Sequence, residues 1–305
     1  MNSIGIGYAA IMLLLCSAGQ AREAEDYPRA MPIEGCVNVF AANATLLSGG
    51  QPEGTAAFKA LAAAGVKTII SVDGAKPDVE AAAQFGMRYV HLPIGYDGVG
   101  RSRTIELSRA VRDLPGKTYI HCHHGKHRSP AATASVMVCS HGWSGEEGIE
   151  FLERAGTAES YSGLYSDVRR MIAASKAELD AADNKFPAVA IVPGGVELMV
   201  QIEHRFDALE NAKAAGWKVS PAHPDIVPAH EALQLMELFR ESVRIDSTGR
   251  KPGYHKFMKQ SETAAENLEK AIRSGDMLAS DKAFGLIKNT CTACHTQYRN
   301  KFGRR

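Results

Sequence analysis

Two short runs of the chain combine residue types that can do chemistry. The first is His121-Cys122-His123-His124-Gly125-Lys126-His127-Arg128-Ser129-Pro130, a thiol, four imidazoles, an ammonium and a guanidinium around one glycine. It follows the β-branched run KTYIHC and leads into AATASVMVC, an order of strand, loop and helix. Such a loop aims successive N–H groups inward at the positive end of a helix, which suits an anion. Ser129 suits the helix N-cap and Pro130 the first helical position. Cys122 stands at one end as a nucleophile, and Arg128 stands at the other with a fork that can grip a phosphate by two bonds. No carboxylate occurs between Lys117 and Ala134. That one-sided charge favours the thiolate form of Cys122. The second run is Cys291-Thr292-Ala293-Cys294-His295. Its spacing lets two thiols add to the vinyl groups of a haem while His295 takes the iron. Half a zinc site would use the same residues, but the chain has no second Cys-x-x-Cys to complete one.

These side chains need elements to hold them, and the rest of the chain supplies two kinds. With 305 residues the chain is long enough for two domains. Hydrophobic residues at 45% and charged residues at 23% give it apolar surface to bury and exclude a disordered or collagen-like chain. A formal net charge of +1 offers no global field for nucleic acid or an anionic membrane. From about Val37 to Glu178, apolar β-branched runs alternate with helical patterns, which predicts an α/β fold with a mainly parallel central sheet and flanking helices over residues 30–180. The stretch 181–194, with FPAVAIVPGG, reads as a linker. Four amphipathic patterns then run near 195–214, 228–245, 254–273 and 280–302, which predicts an all-α four-helix bundle over 195–305. Met199, Ile202, Phe206 and Leu209 share a face of the first; Phe284, Ile287, Cys291, Cys294, Tyr298 and Phe302 share a face of the last.

Residues 1–21 read as a signal peptide, with an apolar run from Ile4 to Leu15 followed by small and polar residues. The run is too short to span a membrane, and no later segment is apolar enough to do so. The chain is therefore expected in the periplasm, with Leu15 before Cys16 a poor fit to a lipid anchor. Cys36 and Cys139 remain as either a bridge or free buried thiols, and either could also protect Cys122 as a disulfide.

The run from His121 to Ser129 resembles the signature of the cysteine-based protein tyrosine phosphatase superfamily in its dual-specificity branch. Ser48-Gly49-Gly50-Gln51-Pro52 and the strand-helix order extend the resemblance, and Gly125 to Arg128 is similar to phosphatases acting on inositol phosphates and pyrophosphates. The resemblance implies that Cys122 attacks phosphorus while Arg128 and the loop residues His123, His124, Gly125, Lys126 and His127 hold the phosphate. Ser129 would help the thiophosphate break down, and His121 would orient the thiol. It also implies a general acid upstream, for which Asp97 in Ile94-Gly95-Tyr96-Asp97-Gly98 is the choice and Asp73 and Asp78 are alternatives. The substrate would be a phosphorylated protein or a small molecule such as an inositol phosphate. Two other uses of the loop stay open: a metal site from the HCHH run, against which strand alternation places His121 and Cys122 on opposite faces, and a module that binds anions without turnover.

CTACHTQYRNKF, ending the last helix, resembles cytochrome c prime and the related class II cytochromes of the c556 type. That resemblance implies covalent haem c on Cys291 and Cys294, His295 as proximal ligand, Arg299 as the basic residue one turn later, and Met199 at the distal position. Met199 would then be either a sixth ligand, suited to electron transfer with a redox partner, or core packing beside an open iron that binds small gases. His204, roughly 140° further around the helix, faces away. The bundle also offers a surface for a homodimer.

Overall fold

The computed structural model describes residues 27–192, 194–220, 226–244 and 252–299. The expected signal peptide, Cys16 and Phe302 lie outside them. Strands β1 (Arg29–Ala30), β2 (Phe40–Ala41), β3 (Leu46–Gly49), β4 (Val66–Ser71), β5 (Arg88–His91) and β6 (Lys117–His121) form one sheet in the order β1-β2-β3-β6-β4-β5. Strands β3, β6, β4 and β5 run parallel, as alternating strand and helix requires, and β1 and β2 add an antiparallel edge. Helices α1 (Gly54–Ala63), α2 (Val79–Gln84), α3 (Arg101–Asp113), α4 (Arg128–Ser140), α5 (Gly145–Arg154), α6 (Ser162–Arg170) and α7 (Lys176–Ala181) cover the sheet.

The period of two along the strands sorts their side chains between two cores. Ile70, Val90 and Ile120 face α3 to α6, while Ile69, Tyr89 and Tyr119 face α1 and α2. Helix α4 is apolar or small all round and buried from Arg128 to Cys139, so the loop before it is anchored to the middle of the fold. Pairing of Gly49 and Ser71 with His121 sets the carboxyl ends of β3, β4 and β6 side by side. That edge is where ligands bind in open α/β sheets.

The stretch after α7 is docked and not a free linker. Phe186 enters the first core, the His91 amide donates to the Pro187 carbonyl at 2.8 Å, and the Ala190 amide donates to His91 Nδ1 at 3.0 Å. The cause is the edge of β5, whose backbone groups need partners.

Helices α8 (Gly194–Ala214), α9 (Pro228–Arg244), α10 (Pro252–Ser274) and α11 (Met277–Tyr298) follow, each within a few residues of its sequence pattern. Helix α10 packs against α9 and α11, and α8 packs against α9. Their shared core includes Leu198, Ile202, Leu209, Phe239, Phe284 and Ile287. Phe206 stacks on Phe284 with ring centres 4.8 Å apart, and the Trp217 indole donates to Asp281 at 3.0 Å. Asp276 caps α11 by accepting from the Ala279 amide. Among the described residues no helix is long and apolar enough to cross a membrane. Cys36 and Cys139 are free thiols in different clusters, which removes the bridge; burial pushes the Cys36 thiol up to about 11.

Candidate active site and haem site

The loop from Cys122 to His127 is held from outside by its carbonyls. His123 O accepts from the Gln51 amide at 3.0 Å, Gly125 O from Asn38 Nδ2 at 2.9 Å, and Lys126 O from Thr157 Oγ1 at 2.6 Å. A peptide is planar with N–H and C=O opposed, so the amides of His124, Lys126 and His127 point the other way, into the loop. Among the described residues the amides of His124 to His127 donate to no protein acceptor. Gly125 lies at φ 70°, and a Cβ there would collide with the Gly50 nitrogen and the Gly49 carbonyl carbon. Only glycine fits that crossing. The Ser48-to-Pro52 motif thus forms the back wall of the loop, with Tyr119 Oη donating to Gly50 O at 2.5 Å.

Cys122 is buried, and its Sγ lies 3.3 Å from Ser129 Oγ, whose proton goes to Gly49 O at 2.9 Å. This corrects the expected cap: α4 begins at Arg128 with His127 as N-cap, because the Gly49 carbonyl and the thiol engage the Ser129 hydroxyl. Arg128 is 6% exposed and donates through one terminal nitrogen to Asp73 Oδ2 at 2.8 Å, while its Nε is buried without a partner. His121 lies on the opposite strand face from Cys122, as alternation predicts. It pairs through Nε2 with Tyr89 Oη at 2.6 Å, and burial pulls it down to about 4. Its bond to Tyr89 braces β6 just before Cys122.

Asp73 is the member that sequence reasoning underrated. It sits just beyond β4, 1% exposed, and accepts from Gly74 N, Ala75 N, His123 N and Arg128. Burial alone would raise its carboxyl; the Arg128 charge and the Ala75 and His123 amides outweigh it and hold the carboxyl at about 2. A group so acidic cannot donate a proton near neutrality, so it fixes Arg128 and the loop instead. Asp78 is spent as the N-cap of α2. Asp97 lies on the exposed turn between β5 and α3. Helix α6 pins that turn: a Cβ at Gly163 would strike the Asp97 backbone, and Asp167 accepts from the Gly100 amide at 3.0 Å.

Of the four loop imidazoles, His121 is buried, His123 and His127 are half-buried and His124 is exposed. Burial, followed by the Arg299 charge, pulls His127 down to about 4, and its ring lies 4.5 Å from Tyr161. His123 reaches Asp207 of α8 at 2.9 Å, which raises its pKa, and His124 lies 3.7 Å from the same oxygen. Lys126 is exposed. The four imidazoles of the run thus stand in different surroundings, and His123 and His124 share the Asp207 carboxylate.

In the helical part Cys291 and Cys294 share one core cluster, with Met199 and Tyr298 packed against it. Burial, with Cys294 adding to it, pushes the Cys291 thiol up to about 12, and burial followed by the Arg299 charge pulls His295 down to about 4. Two thiols and an imidazole at i, i+3 and i+4 of one helix are the set that a covalently bound haem requires, so these residues fit the group. His204 points away from that core, its ring 5.2 Å from His123. One turn beyond His295, the Arg299 guanidinium lies 3.6 Å from the Tyr96 ring centre and donates to Tyr161 Oη at 3.2 Å. The Tyr96 ring also lies 4.5 Å from the Arg128 guanidinium carbon. No signal in the sequence placed the end of α11 at the cysteine loop.

The arrangement defines a chain in two parts, an α/β sheet with a cysteine-and-arginine anion loop at its strand ends and a helical part carrying Cys-x-x-Cys-His. Residues 249–299 match the family model described as Cytochrome C'. Among solved structures, the chain is similar to TpbA of P. aeruginosa, at 23% identity and TM-score 0.39, covering 44% of this chain and 84% of that one. It is similar to TpbA in complex with pTyr at 21% identity and TM-score 0.42, covering 48% and 91%. A DUF442 protein from Shewanella putrefaciens CN-32 gives 20% identity and TM-score 0.36, covering 44% and 90%. Comparison with curated proteins gives no match.

Proposed function

We propose that the chain hydrolyses phosphate monoesters through a cysteinyl-phosphate on Cys122 and carries covalent haem on Cys291 and Cys294. The observation that carries the reading is the set of unused donors beside a buried thiol: the amides of His124 to His127 and Arg128 Nε. A buried donor without an acceptor, as Arg128 Nε is, is costly, and a bound phosphate would satisfy it together with the loop amides. Cys122 Sγ attacks phosphorus, and the S–P bond forms as the bond to the leaving oxygen breaks. Asp97 gives its proton to that oxygen. Water then attacks phosphorus, returning a proton to Asp97, and the S–P bond breaks to release phosphate. Ser129 can turn its proton from Gly49 O to Sγ at that moment, favouring the departing thiolate.

His295 would hold the iron and Met199 would fill or flank its sixth position. Bound haem would supply one-electron transfer or a site for a small gas. Arg299 supports coupling between the two parts, since it links the helix of His295 to Tyr96, which lies against Arg128. Residues 1–21 would direct export to the periplasm, with residues 30–180 and 195–305 as the two domains, and a redox partner or a second copy of the chain could meet the bundle. Lys126, His124 and Arg299 around the mouth favour densely charged substrates such as inositol polyphosphates over phosphotyrosine peptides.

The test is Cys122→Ser in the haem-loaded full chain. Turnover of an aryl phosphate should vanish while vanadate or phosphate binding stays measurable; surviving turnover would remove Cys122 as nucleophile.

A further inference from the structure

Where α8 meets the cysteine loop, three side chains converge that take no part in bond making or breaking at phosphorus. One ring nitrogen each of His123 and His124 and an Asp207 carboxylate oxygen all lie within 4.8 Å of one another. Asp207 Oδ2 is 2.9 Å from His123 Nε2 and 3.7 Å from His124 Nε2. Ligand atoms about 2.0–2.1 Å from a tetrahedral zinc ion stand about 3.3 Å apart, between those two distances. The two histidine rings are tilted at 58° with centres 4.3 Å apart, so their nitrogens approach the carboxylate from different directions. The His123 backbone is fixed independently, its amide on Asp73 and its carbonyl on Gln51, so its imidazole is free to bind without disturbing the loop.

We infer that His123, His124 and Asp207 form a site for one divalent transition cation of the zinc type, which ties α8 to the cysteine loop. Two imidazoles and one carboxylate suit zinc and its neighbours; the absence of thiolate disfavours copper(I), and the imidazoles disfavour magnesium and calcium. Three protein ligands leave a fourth position for water or a phosphate oxygen. The site differs from the Cys-x-x-Cys-His run, from Cys122 and from the HCHH run read as a unit, since His121 is buried on the other side of the strand. Its two halves come from residues that only the docking of α8 brings together.

The experiment is calorimetric titration of zinc chloride into the haem-loaded full chain carrying Cys122→Ser. Haem occupies Cys291, Cys294 and His295, and the serine removes the reactive thiol, so neither competes for zinc. One equivalent should bind. Affinity should fall at least about 100-fold in Asp207→Asn and again in His124→Ala, since each removes a ligand and even outer-shell losses cost 10–100-fold. Glu210→Gln, whose carboxylate on α8 pairs with Lys288, should leave binding unchanged. Zinc should also slow hydrogen exchange in α8 and in residues 122–128 together. Absence of binding, or binding equally tight in both ligand variants, would overturn the site. Because both side chains are partly exposed, the variants should fold, and an unaltered haem spectrum and melting temperature check that they do. Binding is read without turnover, so its failure is separate from failure of the phosphatase reading.

Discussion

Replacing Asp73 with asparagine tests whether a buried carboxylate organises the cysteine loop. Asp73 is 1% exposed and uses both oxygens: one accepts from Gly74 and Ala75, the other from His123 and Arg128. Asparagine has the same shape but one oxygen. Whichever way its amide turns, its NH2 faces two donors, so two bonds are lost. In either orientation Arg128 is buried without its counter-charge, which costs about 3–5 kcal/mol in comparable sites. The lowering of the carboxyl to about 2 by Arg128 and the loop amides runs in the same direction. The lower end of that range, about 3 kcal/mol, corresponds to a fall in melting temperature of about 6–12 °C for an α/β part of this size. Lost order at the loop should lower kcat/KM by about 100-fold, the same free energy applied to the transition state.

Anion binding separates this account from simple misfolding. A phosphate-like dianion would return the missing charge to Arg128, so vanadate should raise the melting temperature more in Asp73→Asn than in the wild type. The pH dependence has a defined sign. A carboxyl depressed on folding contributes stability that is fully present above its unfolded value near 4 and is lost as pH falls through about 2. The two proteins should therefore differ at pH 7 and converge towards pH 2. Thermal unfolding followed by circular dichroism, with haem absorbance reporting on the bundle, reads all of this. Equal melting temperatures at pH 7, or equal vanadate shifts, would refute the reasoning.

Asp97→Asn should slow alkyl phosphates by about 100-fold or more and activated aryl phosphates far less, because a good leaving group needs little protonation. Steady-state rates on the two substrate types check it, and equal losses would point to another acid. Met199→Ala should convert a low-spin iron spectrum to high-spin and speed carbon monoxide binding, measured by absorbance and stopped flow; a high-spin wild type would favour the gas-binding use of the site. Arg299→Ala should raise KM for an inositol polyphosphate about 5–10-fold while leaving an aryl phosphate nearly unchanged, the size of one cation removed from a partly desolvated mouth. Parallel losses on both substrates would place Arg299 in general packing instead.

What the sequence disclosed and what it concealed follow from how far apart the cooperating residues lie. The loop could be read because its chemistry is contiguous, and α8 to α11 could be read because an apolar face repeats at helical spacing. Asp73 was hidden because an aspartate before glycine at a strand end looks like any turn residue. Its role arises only when parallel pairing sets the end of β4 beside that of β6. Ser129 was misread for the opposite reason: its local preference for capping is real, but Gly49, distant in sequence, supplies a better use for the hydroxyl. Lys126 and the four histidines look alike in one dimension, yet burial takes His121 and His127 out of the charged set and α8 claims His123. The same logic applies to Asp207 and Arg299. Asp207 is a polar residue on an amphipathic helix and Arg299 a basic residue one turn past the Cys-x-x-Cys-His run, and each gains a specific partner only where the helices meet the loop, at His123 for Asp207 and at Tyr96 for Arg299. Chemistry written along the chain points to the proposed nucleophile and to the thiols that would take haem. Whatever couples them must be written across it, in contacts that change if α8 or the end of α11 moves against the loop.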